Sequence, residues 1–130
     1  MDHDNLIYPS LTPPTRDDLK ILTLEVDPYP DGRRVRVKLV LSPFLQGPNA
    51  EISLSNQDDE LLASINIVNI FIPENEFTLH IPESKSVPGS YTVNVEVFYV
   101  EEEEIEQGGE AQFNLKKSLV DSTSTPFTLP

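Results

Sequence analysis

The stretch from Val87 to Val100 constrains the fold more than any other part of the chain. It opens with a Pro-Gly pair and then alternates between apolar and polar side chains. The positions that share the apolar face are Tyr91, Val93, Val95, Val97 and Tyr99. Alternation of this kind, rich in β-branched and aromatic residues, is typical of a β-strand with one buried face. We therefore expect a core strand here, most firmly up to Val97.

Shorter segments along the chain repeat the pattern. Further strands are predicted at 19–26, 33–41, 51–55, 61–72, 77–81 and 111–115. The side chains expected to face the core are Leu22, Leu24, Val26, Val35, Val37, Leu39, Leu41, Ile52, Leu54, Phe77, Leu79, Ile81, Ala111, Phe113 and Leu115. No window has sustained helical spacing of apolar residues. Seven or eight short strands separated by turn signals predict an all-β, antiparallel sandwich.

The segment at 61–72 does not keep one phase. Ile65 and Ile67 lie on one phase of the alternation, whereas Val68, Ile70 and Ile72 lie on the other. A β-bulge, or a strand that crosses between two sheets, would reconcile the two phases.

The chain resembles the immunoglobulin-like and fibronectin type III-like β-sandwich superfamily at the level of fold, over about residues 19–117. The resemblance rests on the sequence Pro-Gly-Ser-Tyr at 88–91, which opens a Tyr-x-Val-x-Val-x-Val strand, and on Phe77-x-Leu79-x-Ile81 before it. It implies that Tyr91 forms a tyrosine corner, in which the hydroxyl bonds to the backbone a few residues upstream. The chain has no Cys and no Trp, which excludes an antibody-type domain with a disulfide.

The two ends of the chain have a different composition from the centre. Residues 1–18 are predicted to be an extended, proline-containing arm, which either leads loosely into the domain or packs Ile7 and Tyr8 onto it. Residues 19–117 are predicted to be the sandwich, and the Ser/Thr-rich residues 118–130 a flexible tail.

The charge balance excludes one class of partner. Lys and Arg number 9 and Asp and Glu number 22, giving a net charge of −13. Nucleic-acid binding needs clustered cations. The basic residues at 33–38 alternate with Val35 and Val37, so they are predicted to be the solvent face of a strand. We expect no nucleic-acid partner, and a protein partner instead.

The sequence also bears on compartment. No apolar run approaches the length of about 20 residues that spans a bilayer, and residues 1–20 have no basic segment followed by an apolar one, as a secretory signal would. With no Cys, we expect no disulfide and no thiolate metal site. We therefore expect no membrane insertion and, if the chain is full length, a cytoplasmic location.

No constellation of catalytic residues can be proposed. His3 lies in the N-terminal arm, and His80 alternates with core residues and is expected to face outward. Without a nucleophile and base pair, and with glutamates only in a solvated run, we expect no enzyme, no catalytic residue and no cofactor.

Calcium is the alternative chemical hypothesis. It prefers six to eight oxygen ligands, and the acids at 27–31 and 58–60 are expected at one end of the sandwich. The chain has no EF-hand spacing, so no metal ligands are assigned. The matching alternative function is a calcium-dependent adhesion or carbohydrate-binding module of a larger surface protein.

The favoured function is a non-enzymatic interaction or spacer module that binds through a sheet face or edge. The candidate partner surface begins in the outward phase of the central strand, and an apolar patch rimmed by acids is typical of such surfaces. Its candidate residues are Phe98, Val100, Glu101, Glu102, Glu103 and Glu104. The alternative is that the N-terminal arm or the tail covers this end of the strand.

The conformation of residues 101–109 has two solutions. In the favoured one they form an acidic loop, with Phe113 opposite Val97. In the other the strand continues as a hairpin that turns at 107–109, with Ile105 opposite Ala111 and Leu119 drawn into the sheet. Repulsion among the glutamates is screened by solvent and does not decide between them.

Overall fold

The structure, a computed structural model, describes residues 15–130 except for the side chains at positions 105 and 107. The predicted N-terminal arm therefore lies largely outside the described residues, as do His3 and the predicted packing of Ile7 and Tyr8. From the end of that arm, Arg16–Asp18 form a short 3-10 turn that leads into the first strand.

Seven β-strands follow, in the order that the alternating segments predict. They are β1 (Ile21–Pro28), β2 (Arg34–Leu41), β3 (Asn49–Asn56), β4 (Leu61–Ile67), β5 (Glu74–His80), β6 (Gly89–Gln107) and β7 (Glu110–Leu129). Their order is β1-β2-β5 in a three-stranded sheet and β4-β3-β6-β7 in a four-stranded sheet. All pairs are antiparallel. A second 3-10 turn, Glu83–Lys85, precedes β6, and residues 15–130 contain no α-helix. The all-β fold class is confirmed.

The core lies between the two sheets and is built from their alternating inner residues. In β2 the predicted inward residues Val35 to Leu41 are fully buried, and in β6 every second residue from Tyr91 to Tyr99 is buried. Ile52 and Leu54 of β3 and Leu79 of β5 complete this layer, as predicted. Strict alternation therefore identified the inner face of the central strands correctly.

Strand β1 departs from the prediction at its start. Leu22, predicted to face the core, is exposed, while Ile21 and Leu24 pack against the core. The pairing of β1 with β2 shifts between Ile21 and Thr23. An irregularity of one residue turns a side chain to the other face, which a simple alternation cannot anticipate.

The change of phase after Ile67 marks the end of β4 and a crossing between sheets. Residues 68–73 form a loop that carries the chain from the four-stranded sheet to β5 of the three-stranded sheet. Asn69 has a φ of 57°, and Ile70 is buried beside it, whereas Val68 and Phe71 are exposed. The chain does cross between the sheets here, but neither predicted explanation holds as stated: β4 ends at Ile67 and a loop, not a bulged or crossing strand, makes the connection.

The predicted tyrosine corner is present at the start of β6. The Tyr91 hydroxyl lies 2.6 Å from the carbonyl oxygen of Val87 and 2.9 Å from that of Lys85, and it accepts a hydrogen bond from the Val87 N–H at 3.1 Å. These bonds fix the turn from the 3-10 segment into β6.

The prediction of a flexible C-terminal tail is wrong, because residues 118–129 belong to β7. The ring of Phe127 stacks on that of Tyr91 with 5.3 Å between centroids, and Leu129 is also buried. The Ser- and Thr-rich composition suggested a tail, but Ser122, Ser124 and Thr128 occupy the solvent face of an edge strand. The single proline within it, Pro126, is compatible with an edge position.

Candidate interaction surface

Residues 98–119 form a two-stranded hairpin that continues beyond the sandwich. This hairpin is called the arm below and is distinct from the N-terminal arm at 1–18. The last residue of β6 that pairs with β3 is Phe98, and beyond it β6 pairs only with β7. The strands turn at Gly108 and Gly109, whose φ values are 66° and 84°. Two consecutive residues with positive φ are characteristic of a type I′ turn, which favours glycine and matches strand twist.

The arm corrects the prediction of an acidic loop at 101–109. Glu101 pairs with Lys116, Glu104 with Phe113, and Asp121 rather than Phe113 lies opposite Val97. The hairpin alternative gave the right topology, with its register displaced by one residue, since Ile105 lies opposite Gln112. The glycine pair supplies a tight turn, and β7 supplies a partner strand for every glutamate, so the screened repulsion does not prevent pairing.

The two faces of the arm differ in chemistry. The outer face, which points away from the core, carries the apolar residues together with three glutamates and a lysine. Its members are Phe98, Val100, Glu102, Glu104, Glu106, Ala111, Phe113, Leu115, Lys117 and Leu119. The inner face continues the core side of β6 and carries polar side chains at 101, 103, 114, 116 and 118. The arm therefore has an apolar row along β7 beside an acidic row along β6.

The structure separates the predicted surface residues between these faces. Phe98, Val100, Glu102 and Glu104 share the outer face, whereas Glu101 and Glu103 lie on the inner face. Phe98 is partly covered by Lys117, whose ammonium lies 4.5 Å from the ring centroid and 2.7 Å from a Glu96 carboxylate oxygen. The hydrogen bond to Glu96 raises the pKa of Lys117. Val100 is 39% exposed.

The largest apolar contributors to the outer face come from β7. Phe113 is 66% exposed, Leu115 73% and Leu119 54%. The predicted inward orientation of Ala111, Phe113 and Leu115 is wrong, because all three are exposed on the outer face. The signal that would have placed them is the glycine pair: a two-residue turn at 108–109 fixes Phe113 opposite Glu104, on the outward phase of β6.

A polar cluster fixes the base of the arm to the sandwich. Arg16 stacks on the Tyr99 ring at 4.5 Å, pairs with Glu101, and donates a hydrogen bond to the Gln46 side chain at 2.9 Å. The Tyr99 hydroxyl donates to the Gln46 carbonyl oxygen at 2.8 Å, and burial raises the pKa of this hydroxyl against the opposing effect of Arg16. The direction of the arm is thus set by contacts on its inner face, and its outer face is left uncovered by residues 15–130.

The acids considered for calcium lie at the opposite end of the sandwich, where three of them, Asp27, Asp31 and Glu60, pair with cations. Asp31 contacts Arg34 at 2.9 Å and Asp27 contacts Arg36 at 3.1 Å. The backbone N–H of Arg33 lowers the pKa of Asp31. Within the described residues no group of three or more His, Cys, Asp or Glu side chains is arranged to hold a metal ion.

Two further observations concern other classes of function. His80 is exposed on β5, as its outward phase predicted. In the part of the chain that the structure describes, no helix has the length and apolar character needed to cross a membrane.

Comparisons with known proteins give a likeness of fold only. No family model matches the chain, and no curated protein sequence matches it. Among solved structures, a family 76 glycoside hydrolase from a bovine Bacteroides thetaiotaomicron strain aligns with 75% of this chain at 18% identity and a TM-score of 0.49. A Parabacteroides merdae β-glucuronidase aligns with 76% at 12% identity and a TM-score of 0.45.

The chain spans a small part of these hydrolases, 20% of the first and 13% of the second. At these identities and TM-scores the alignments carry no information about activity or ligand.

Proposed function

We propose that this chain is a non-enzymatic protein-interaction module of immunoglobulin-like or fibronectin type III-like fold, which binds a protein partner through the outer face of the arm. The assignment to that superfamily is supported by the division of the strands into sheets of three and four and by the tyrosine corner at Tyr91.

The observation that carries the proposal is the exposed apolar row of β7. Phe113 and Leu115 are neighbours on one face and Leu119 follows beyond Lys117, and each of the three is more than half exposed. Isolated exposed apolar residues are normal on protein surfaces, but several large ones on one face of a projecting element are typical of an interaction site. Burying such side chains in a partner is worth about 1.5–3 kcal/mol each.

The acidic residues beside this row define its rim. Glu102, Glu104 and Glu106 share the outer face, and no ion pair engages them within the described residues. An apolar centre with a charged rim is the usual arrangement of a protein interface. Given the net charge of −13, the rim favours a partner with basic residues around an apolar patch.

The proposal is tested with a photo-crosslinking amino acid placed at position 113, in the cells from which the chain originates. The matched control carries the same amino acid at position 71, because Phe71 is an equally apolar ring that is 83% exposed on the loop after β4. The captured protein is then produced in pure form and its affinity measured for the parent chain, for Phe113→Ser and for Phe71→Ser.

We expect capture of a defined protein from position 113 only, and an affinity that Phe113→Ser reduces at least tenfold while Phe71→Ser leaves it unchanged. Equal capture from both positions, or equal affinity of the two serine variants, would remove the arm from consideration as the binding surface.

A further inference from the structure

The edge of β7 is unpaired along the arm, and this edge offers a second site on the same element. β7 is the last strand of its sheet, with β6 as its only strand neighbour in the described residues. Nearer the sandwich β1 lies beside it, since Asp121 accepts a hydrogen bond from the Ile21 N–H and Thr125 donates one to the Leu24 carbonyl oxygen. Along 110–119 no such neighbour is present among residues 15–130.

The outward backbone groups of this edge can be identified from the turn. In a two-residue hairpin the flanking residues, Gln107 and Glu110, exchange hydrogen bonds with each other. Between 110 and 118, the even-numbered residues of β7 therefore bond to β6, and the N–H and C=O groups of 111, 113, 115 and 117 point outward. These are also the residues whose side chains lie on the apolar outer face.

The distribution of charge leaves the middle of this edge unprotected. Proteins commonly guard an edge strand with charged side chains on the edge itself, lysine above all. On β7 the charged residues Glu110, Lys116 and Lys117 lie toward the two ends of the arm, whereas the middle carries Phe113 and Leu115. A two-stranded ribbon is also marginal alone, and three or more strands are needed for a stable sheet. The arm thus lacks a neighbour.

We propose that the neighbour is the arm of a second copy of this chain, paired antiparallel along β7 with the two-fold axis at Asn114. This inference rests on the proposed function, because it assigns the edge of the same arm. In this register Phe113 lies opposite Leu115 of the second copy, and Ala111 lies opposite Lys117 of the second copy. Residues 111, 113, 115 and 117 of each chain then pair with those of the other through their outward backbone groups. The result is a sheet of four strands, β6 and β7 of each copy.

Charge complementarity and space both favour this register. Lys116 makes no ion pair in the described residues, since its cross-strand neighbour Glu101 is bound to Arg16. With the two-fold axis at Asn114, Lys116 of one copy lies diagonally across from Glu110 of the second copy. Long side chains can reach each other across such a diagonal pair. The turn of each arm ends opposite Leu119 of the other, before Asp121, where β1 begins to cover the edge.

The absence of cysteine makes a direct test possible. On the two-fold axis, Asn114 faces Asn114 of the second copy in a non-hydrogen-bonded pair. The Cα atoms of such a pair are about 4.5 Å apart, within the range that a disulfide spans. We expect Asn114→Cys to form a linked dimer under mild oxidation, much faster than Phe71→Cys, whose exposed loop reports random collision. Sedimentation of the unmodified chain should show a dimer that grows with concentration from the micromolar to the millimolar range.

Exchange of the charges at two exposed positions of β7 tests the register. Lys116→Glu and Glu110→Lys each place like charges on the diagonal twice per dimer, so each should weaken dimerisation about tenfold. The double variant restores opposite charges and should restore the parent affinity.

A monomer at every concentration, with Asn114→Cys linking no faster than Phe71→Cys, would overturn the inference. So would a double charge variant that dimerises no better than the single ones. If that outcome accompanies specific crosslinking of another protein from position 113, the proposed function stands and only the self-pairing fails.

Discussion

The Tyr91 hydroxyl allows a sharp test of how this sandwich is held together. Tyr91→Phe retains the ring, which is buried and stacked on Phe127, and removes only the hydroxyl. The variant loses two hydrogen bonds: the one that the hydroxyl donates to a carbonyl oxygen, and the one that it accepts from the Val87 N–H. The Val87 N–H keeps a second acceptor, the Lys85 carbonyl oxygen at 3.1 Å.

A net hydrogen bond is worth about 0.5–1.5 kcal/mol. Because two such bonds are lost, we expect Tyr91→Phe to lower the free energy of unfolding by about 1–3 kcal/mol. For a domain of this size that corresponds to a fall in melting temperature of about 3–12 °C.

Two other tyrosines serve as matched controls for the same change. The Tyr99 hydroxyl makes one bond, to Gln46, so Tyr99→Phe should cost about 0.5–1.5 kcal/mol. The Tyr29 hydroxyl makes no hydrogen bond within residues 15–130, so Tyr29→Phe should change stability by less than about 0.5 kcal/mol. Chemical denaturation gives the free energy of unfolding of each variant, and we expect the loss to decrease in the order Tyr91→Phe, Tyr99→Phe, Tyr29→Phe. If Tyr91→Phe unfolds like Tyr29→Phe, the reasoning about the corner is refuted.

Three further predictions concern the core, the last strand and the calcium hypothesis. Val95→Asp places an unpaired charge where the side chain is fully buried and should abolish cooperative unfolding, so a variant that melts like the parent would contradict the assigned face of β6. Phe127→Ala should cost about 3–5 kcal/mol by denaturation, because its ring is packed on Tyr91, and a negligible cost would mean that residues 118–129 are not part of the sheet. Melting temperatures with calcium and with EDTA should coincide, because Asp27 and Asp31 already pair with arginines, and a clear stabilisation by calcium would revive the alternative function.

The inner strands could be predicted from sequence because their faces are decided by burial alone. From 34 to 39 in β2 and from 91 to 97 in β6, one phase of the alternation is wholly apolar and the other polar, so only one orientation buries the apolar set. The tyrosine corner could be predicted for a similar reason, since Tyr91 follows a Pro-Gly turn at the start of such a strand.

The arm could not be predicted in full because alternation shows which residues share a face, but not which face it is. In β7 both Phe113 and Phe127 occupy odd positions, yet Phe113 points away from the core and Phe127 into it. The difference arises at Val120, an extra residue between Leu119, which pairs with Phe98, and Asp121, which pairs with Val97. A bulge of one residue exchanges the faces of everything beyond it, and nothing local in the sequence announces it.

Both the proposed interaction surface and the proposed self-pairing depend on the register of the arm, and nuclear magnetic resonance measures it directly. Residues that face each other without exchanging hydrogen bonds have closely spaced Hα atoms. The account predicts strong Hα–Hα Overhauser effects between Glu104 and Phe113 and between Glu102 and Leu115. Their absence, together with an effect between Val97 and Phe113, would show that residues 101–109 form a loop and would contradict the account.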